Sequence, residues 1–127
     1  MKEKVIKVLK IEPGQLPQVV ELKNDLTALQ EAVSIGADYR GLIEIVSLDE
    51  KTCLLLNEEG KLIGLQPNRR LGQDILCGVF YVVGQNNSGD LASLDEVSMA
   101  RYAQLFMIPE IFTDGEAAET IITRFFC

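Results

Sequence analysis

The residues best equipped for chemistry lie in one stretch, Asn57 to Leu71, which reads Asn-Glu-Glu-Gly-Lys-Leu-Ile-Gly-Leu-Gln-Pro-Asn-Arg-Arg-Leu. Asn68, Arg69 and Arg70 follow a proline, and two adjacent guanidinium forks can hold a phosphate or carboxylate in bidentate fashion. These three residues form the candidate ligand- or partner-binding site. Pro67 fixes its own backbone and extends Gln66, so the expectation is a stiff loop, Gln66 to Arg70, from which the three side chains project at small ordering cost. A plain structural role also fits them: Asn68 satisfies turn backbone groups, and the arginines pair with Glu58, Glu59 or Asp74. Glu58 and Glu59 have the side chains of a general acid and base, but adjacent acids in a hairpin turn are usually solvated.

Composition removes most other chemistry. The chain has no histidine, which excludes Ser-His-Asp and Cys-His catalysis and the commonest metal ligand. Cys53, Cys77 and Cys127 are an odd number without Cys-x-x-Cys spacing, and Cys53 and Cys77 sit in apolar runs, so they read as core residues and not as ligands or nucleophiles. No phosphate-binding glycine loop or metal-ligand spacing occurs, so no cofactor and no catalytic residue is assigned, and a non-enzymatic role is preferred. The net charge of −7 argues against general nucleic-acid binding, and the absence of tryptophan removes a stacking platform. That charge is uneven: residues 72–127 carry two basic side chains against eight acidic ones. No apolar run is long enough to span a bilayer. Lysines interrupt the opening apolar residues, which therefore read as a first strand and not as a secretory segment; a cytoplasmic protein is expected.

The elements that must position the candidate site follow from period and punctuation. A chain of 127 residues is expected to form a single domain. Val5 to Ile11 and Val19 to Leu22 read as a strand pair, and Leu26 to Val33 as a helix with Asn24 or Asp25 as its cap and Gly36 beyond its end. Leu42 to Leu48 is a strand with Glu44 facing water. Thr52 to Leu56 and Leu62 to Leu65 flank a turn framed by Asn57 and Gly60. Ile75 to Val83 is the longest apolar run and the candidate central strand, where Gly78 marks a bulge or a close approach. Ser93 and Glu96 suit a capping box before a helix whose Met99, Tyr102, Ala103 and Phe106 share one face and which ends before Pro109. Between residues 114 and 126 two readings stand: Asp114 caps a short helix through Ala118, or Thr120 to Phe126, β-branched and aromatic, forms a final strand. The fold class is α+β: a mostly antiparallel twisted sheet of five to seven short strands with two helices packed on it.

The run from Asn57 to Leu71, followed by Asp74 to Gly78 and Val82 to Gly84, resembles domain-of-unknown-function family 3846. The resemblance covers residues 5–106 and leaves 107–127 as a C-terminal extension. It implies a small bacterial protein of the kind carried by phages, plasmids and conjugative elements, and brings no catalytic residue with it. Three functional classes remain. The first is a non-catalytic binding module acting on a protein partner, the second a binder or sensor of a small anionic ligand at Gln66 to Arg70, and the third an enzyme with an unrecognised site. Phe125 and Phe126, beside Ile121 and Ile122, need burial within the chain or in a homo-oligomer.

Overall fold

The computed structural model describes residues 2–112. Seven-residue β1 (Val5–Ile11) and six-residue β2 (Gln18–Lys23) pair antiparallel, as alternation and the intervening Pro13-Gly14 require. Helix α1 (Leu26–Ala32) starts at Asp25, whose carboxylate accepts from Ala28 N–H, and Gly36 takes a positive φ of 88° beyond its end. Asn24 does different work: its amide donates to the carbonyls of Glu3 and Leu91. Strands β3 (Ile43–Asp49) and β4 (Thr52–Asn57) form the next hairpin. Strands β5 (Pro67–Leu71) and β6 (Asp74–Cys77) form a separate two-stranded sheet. Strand β7 (Phe80–Gln85), the short β8 (Leu91–Ala92) and helix α2 (Glu96–Leu105) follow.

The main sheet is antiparallel throughout, with order β2-β1-β7-β4-β3 and β8 paired to the end of β7. Its central strands bury both faces, which is why β4 and β7 read as unbroken apolar runs. On one face Ile6, Val8, Cys53, Leu55, Tyr81 and Val83 pack beneath Leu29 and Val33 of the α1 region. On the other, Leu9, Leu54, Phe80 and Val82 pack against Tyr102 and Phe106, with Leu76 of the small hairpin in the same cluster. Tyr102 donates to Asp49 at 2.6 Å, Lys51 pairs with Asp95 at 2.9 Å, and Phe106 meets Phe80 edge-on, so α2 is fastened at both ends.

Four expectations need correction. Leu62 to Leu65 is no strand: after the expected Asn57–Gly60 turn, Ile63 N–H bonds Glu59 C=O and Gly64 N–H bonds Lys61 C=O, curling the chain until Gly64 at φ 76° releases it. The run Ile75 to Val83 is not one strand either. Gly78, at φ 83°, turns the chain out of the small sheet and into the large one, and a Cβ there would lie 2.7 Å from Leu65 Cδ1. The cap of α2 is Asp95, whose carboxylate accepts from Ser98 N–H, whereas the Ser93 hydroxyl accepts from Lys7 N–H and donates to Glu3. Glu44 is half-buried on the α2 face, and its neighbour Ile45 faces water instead. The expectations for residues 114–126, including Phe125 and Phe126, and for Cys127 fall outside the described residues.

Candidate functional site

Pro67 opens strand β5, which suits a residue without an N–H at the first position of a two-stranded ribbon. The ladder pairs Pro67 with Cys77 and then Arg69 with Leu76, so Asn68 is an extra residue, a β-bulge. A regular strand would send Asn68 and Arg69 to opposite sides. The bulge turns both inward, and they are 0% and 1% exposed.

Asn68 and Arg69 therefore do not project from a loop; they fasten the hairpin to the rest of the molecule. The Asn68 amide donates to Ile11 C=O and Gly78 C=O, both at 2.9 Å. Arg69 Nε donates to Phe106 C=O at 3.1 Å, Nη2 to Gln15 C=O at 2.5 Å, and Nη1 to Asn68 Oδ1 at 2.8 Å. A fork with five donors suits this array of carbonyls. Burial lowers the Arg69 pKa, and nearby Glu110 opposes that shift. Arg70, on the other side of the strand, is the one of the three with substantial surface. Its backbone N–H donates to Glu110 at 2.6 Å, its Nε lies 3.6 Å from the same carboxylate, and its guanidinium sits 5.2 Å from the Phe112 ring. The pairing with Glu58, Glu59 or Asp74 suggested by proximity in sequence gives way to Glu110, which is forty residues away in the chain.

The curled segment after β4 and the edge of β6 enclose a cleft of about 350 Å³. Leu56, Ile75 and Leu76 line its apolar part, and Glu44, Glu58, Glu59, Asp74 and Lys61 supply charge. The Lys61 side chain is 6% exposed, and its ammonium is bonded to Asp74. Glu58 and Glu59 are exposed at the rim, and Glu59 accepts from the Tyr39 hydroxyl at 2.9 Å, which raises the tyrosine's pKa. Asn57 sets the turn: its side-chain oxygen accepts from Glu59 N–H and its amide donates to Ser34. Gly60 fits because a Cβ would lie 2.8 Å from Cys77 C=O.

The stretch singled out in sequence thus supplies both the wall of the cleft and the buried anchor of the hairpin, but Glu44, Lys61 and Asp74 were missed as lining residues. Alternation in β3 could have placed Glu44 with Val46 and Leu48; nothing local marks Lys61 and Asp74 as partners across thirteen residues. Among the described residues no His/Cys/Asp/Glu cluster could hold a metal ion, and no helix is long and apolar enough to cross a membrane. Cys53 is buried, and that burial raises its thiol pKa to about 11. Cys77 is buried too, with its pKa shifted in the same direction.

No curated protein and no solved structure matches this chain. The family described as Domain of unknown function (DUF3846) matches residues 6–107, a span holding every strand and helix of the main sheet except the first residue of β1, and the chain belongs to that family.

Proposed function

We propose that the protein is a non-catalytic binding module that engages a protein partner through the cleft between the Asn57–Leu62 turn and β6, and that the partner contributes a basic segment. One observation carries this reading. Among the described residues, four carboxylates and one ammonium, which is bonded to Asp74, surround an apolar floor, so an incoming cation gains both charge complementarity and a place to bury its aliphatic stem. Family resemblance alone supports a setting in bacterial phages, plasmids or conjugative elements, and composition alone supports a cytoplasmic location.

A small anionic ligand at Gln66 to Arg70 is the competing reading. There Arg70 is the group of the named three with surface to offer, since Arg69 directs its guanidinium to carbonyls inside the molecule. Charge reversal separates the two. Glu58→Lys with Glu59→Lys changes exposed side chains and leaves folding intact, and it abolishes capture of the partner from the natural host, as does high salt. Retention of the same partner by the double variant overturns the reading. So does a co-purifying anion, seen by native mass spectrometry, that Arg70→Ala removes.

A further inference from the structure

We infer that the partner segment binds as an added strand along the outer edge of β3, with basic and apolar residues alternating; this rests on the cleft reading above and specifies its mode. Among the described residues, the strand order β2-β1-β7-β4-β3 has β2 and β3 as its two lateral edges, and they differ in kind. Glu58 N–H bonds Leu42 C=O, so in the β3–β4 register Glu44 and Val46 direct their backbone groups to β4, while Ile43, Ile45 and Ser47 direct theirs outward. At β2, the Asn24 N–H to Lys4 C=O bond by the same alternation turns Val19, Glu21 and Lys23 outward. Charged residues at outward positions are the usual protection of an edge against pairing. Strand β2 has two of them and β3 has none.

The uncharged edge is also the one that borders the acidic cleft. Ile45, 50% exposed, leaves apolar surface on the side of the sheet facing α1. Glu44 lies on the opposite side and lines the cleft. In an added strand, a residue opposite Glu44 would carry its Cβ about 5 Å from that of Glu44 and on the same face, placing a lysine or arginine at the cleft mouth. Its neighbours would face the other way, over Ile45. Main-chain bonds to Ile43, Ile45 and Ser47 supply affinity, and the alternation selects sequence.

The test uses two fluorescent peptides as long as β3, one alternating lysine with valine and one alternating glutamate with valine. By anisotropy, the basic peptide binds at least about tenfold more tightly than the acidic one. Ile45→Pro removes an outward N–H at no cost to the β4 ladder and weakens that binding by about tenfold or more. Amide exchange supplies a readout that needs no variant: the basic peptide slows exchange at Ile43, Ile45 and Ser47 and leaves Val19 and Glu21 unchanged. Binding that depends on Glu58 and Glu59 but ignores Ile45→Pro, with those amides unprotected, overturns strand addition while the cleft reading stands. Equal binding of the two peptides overturns both. A concentration-dependent dimer that Ile45→Pro dissolves, without peptide binding, makes the edge a contact between copies and overturns the partner strand.

Discussion

Arg69 and Arg70 are neighbours with identical side chains and opposite surroundings, and the difference is set by one extra residue in the ladder. Arg69→Ala would leave the carbonyls of Phe106 and Gln15 buried without their donor, a loss of about 3 kcal/mol or more. Arg70→Ala trims a half-exposed contact with Glu110 and should change stability by only about 0.5 kcal/mol. Urea melts of the two single variants check this, and equal midpoints would refute it. The chain announces the dibasic pair but not which member is inside, because bulges leave no mark in composition and Asn68 serves a turn or a buried anchor equally well. Asp95 gives a residue-scale prediction in pH. Its carboxylate pKa is lowered to about 2, first by Lys51 and then by the Ser98 N–H, against roughly 3.9 in an unfolded chain. A depressed folded value means that its contribution is complete above about pH 4 and is lost as pH falls through about 2. Asp49, lowered first by the Tyr102 hydroxyl, acts in the same direction. Asp95→Asn keeps an N-cap but removes the charge, so its melting temperature should fall less steeply than that of the parent between about pH 4 and pH 2. Parallel curves would show that the ion pair contributes nothing.

At the scale of elements, hairpins with alternating residues and a helix with a clear cap were legible, since β1, β2, β4 and α1 follow from period and punctuation within a residue or two. What escaped was the hand-over between the two sheets. Ile75 to Val83 is apolar on both sides of Gly78, and an apolar run carries no signal for which sheet each half joins. Gly78 performs the switch by conformation, holding a φ of 83° while Leu65 packs where a side chain would stand. Gly78→Ala should therefore cost about 2 kcal/mol or more, combining a left-handed alanine with displacement of Leu65. The cavity-forming variant Leu65→Ala separates these terms. If crowding dominates, the double variant recovers part of the loss relative to Leu65→Ala alone; if conformation dominates, the two costs add. A Gly78→Ala variant that melts with the parent would mean that the chain turns by other means. The same element explains why the cleft was half-visible. Its Asn57–Leu62 wall is contiguous and was read, whereas its β6 wall arrives only through the fold.

For the whole molecule, the question is whether the small β5–β6 sheet is a separable flap or part of one cooperative unit. Its backbone pairs with no strand of the main sheet, which by itself suggests local opening. The side chains argue the other way. Leu76 lies in the same cluster as Leu54, Phe80 and Phe106, and Asn68 and Arg69 bond to carbonyls at the end of β1, in the loop after it and at the end of α2. Opening the hairpin alone would expose that apolar contact and strand a buried guanidinium's acceptors, so local opening offers little saving over global unfolding. Native-state amide exchange should accordingly give the protected amides of β6 the same opening free energy as those of β4. In Arg69→Ala the anchor is gone, and the β6 amides should open at least about 1 kcal/mol more easily than β4 while β4 keeps its two covered faces. Coincidence in the parent together with separation in the variant identifies Arg69 as the residue that couples the two sheets. If β6 already exchanges far faster than β4 in the parent, the hairpin is an independent flap. The cleft it helps to enclose would then open and close with it.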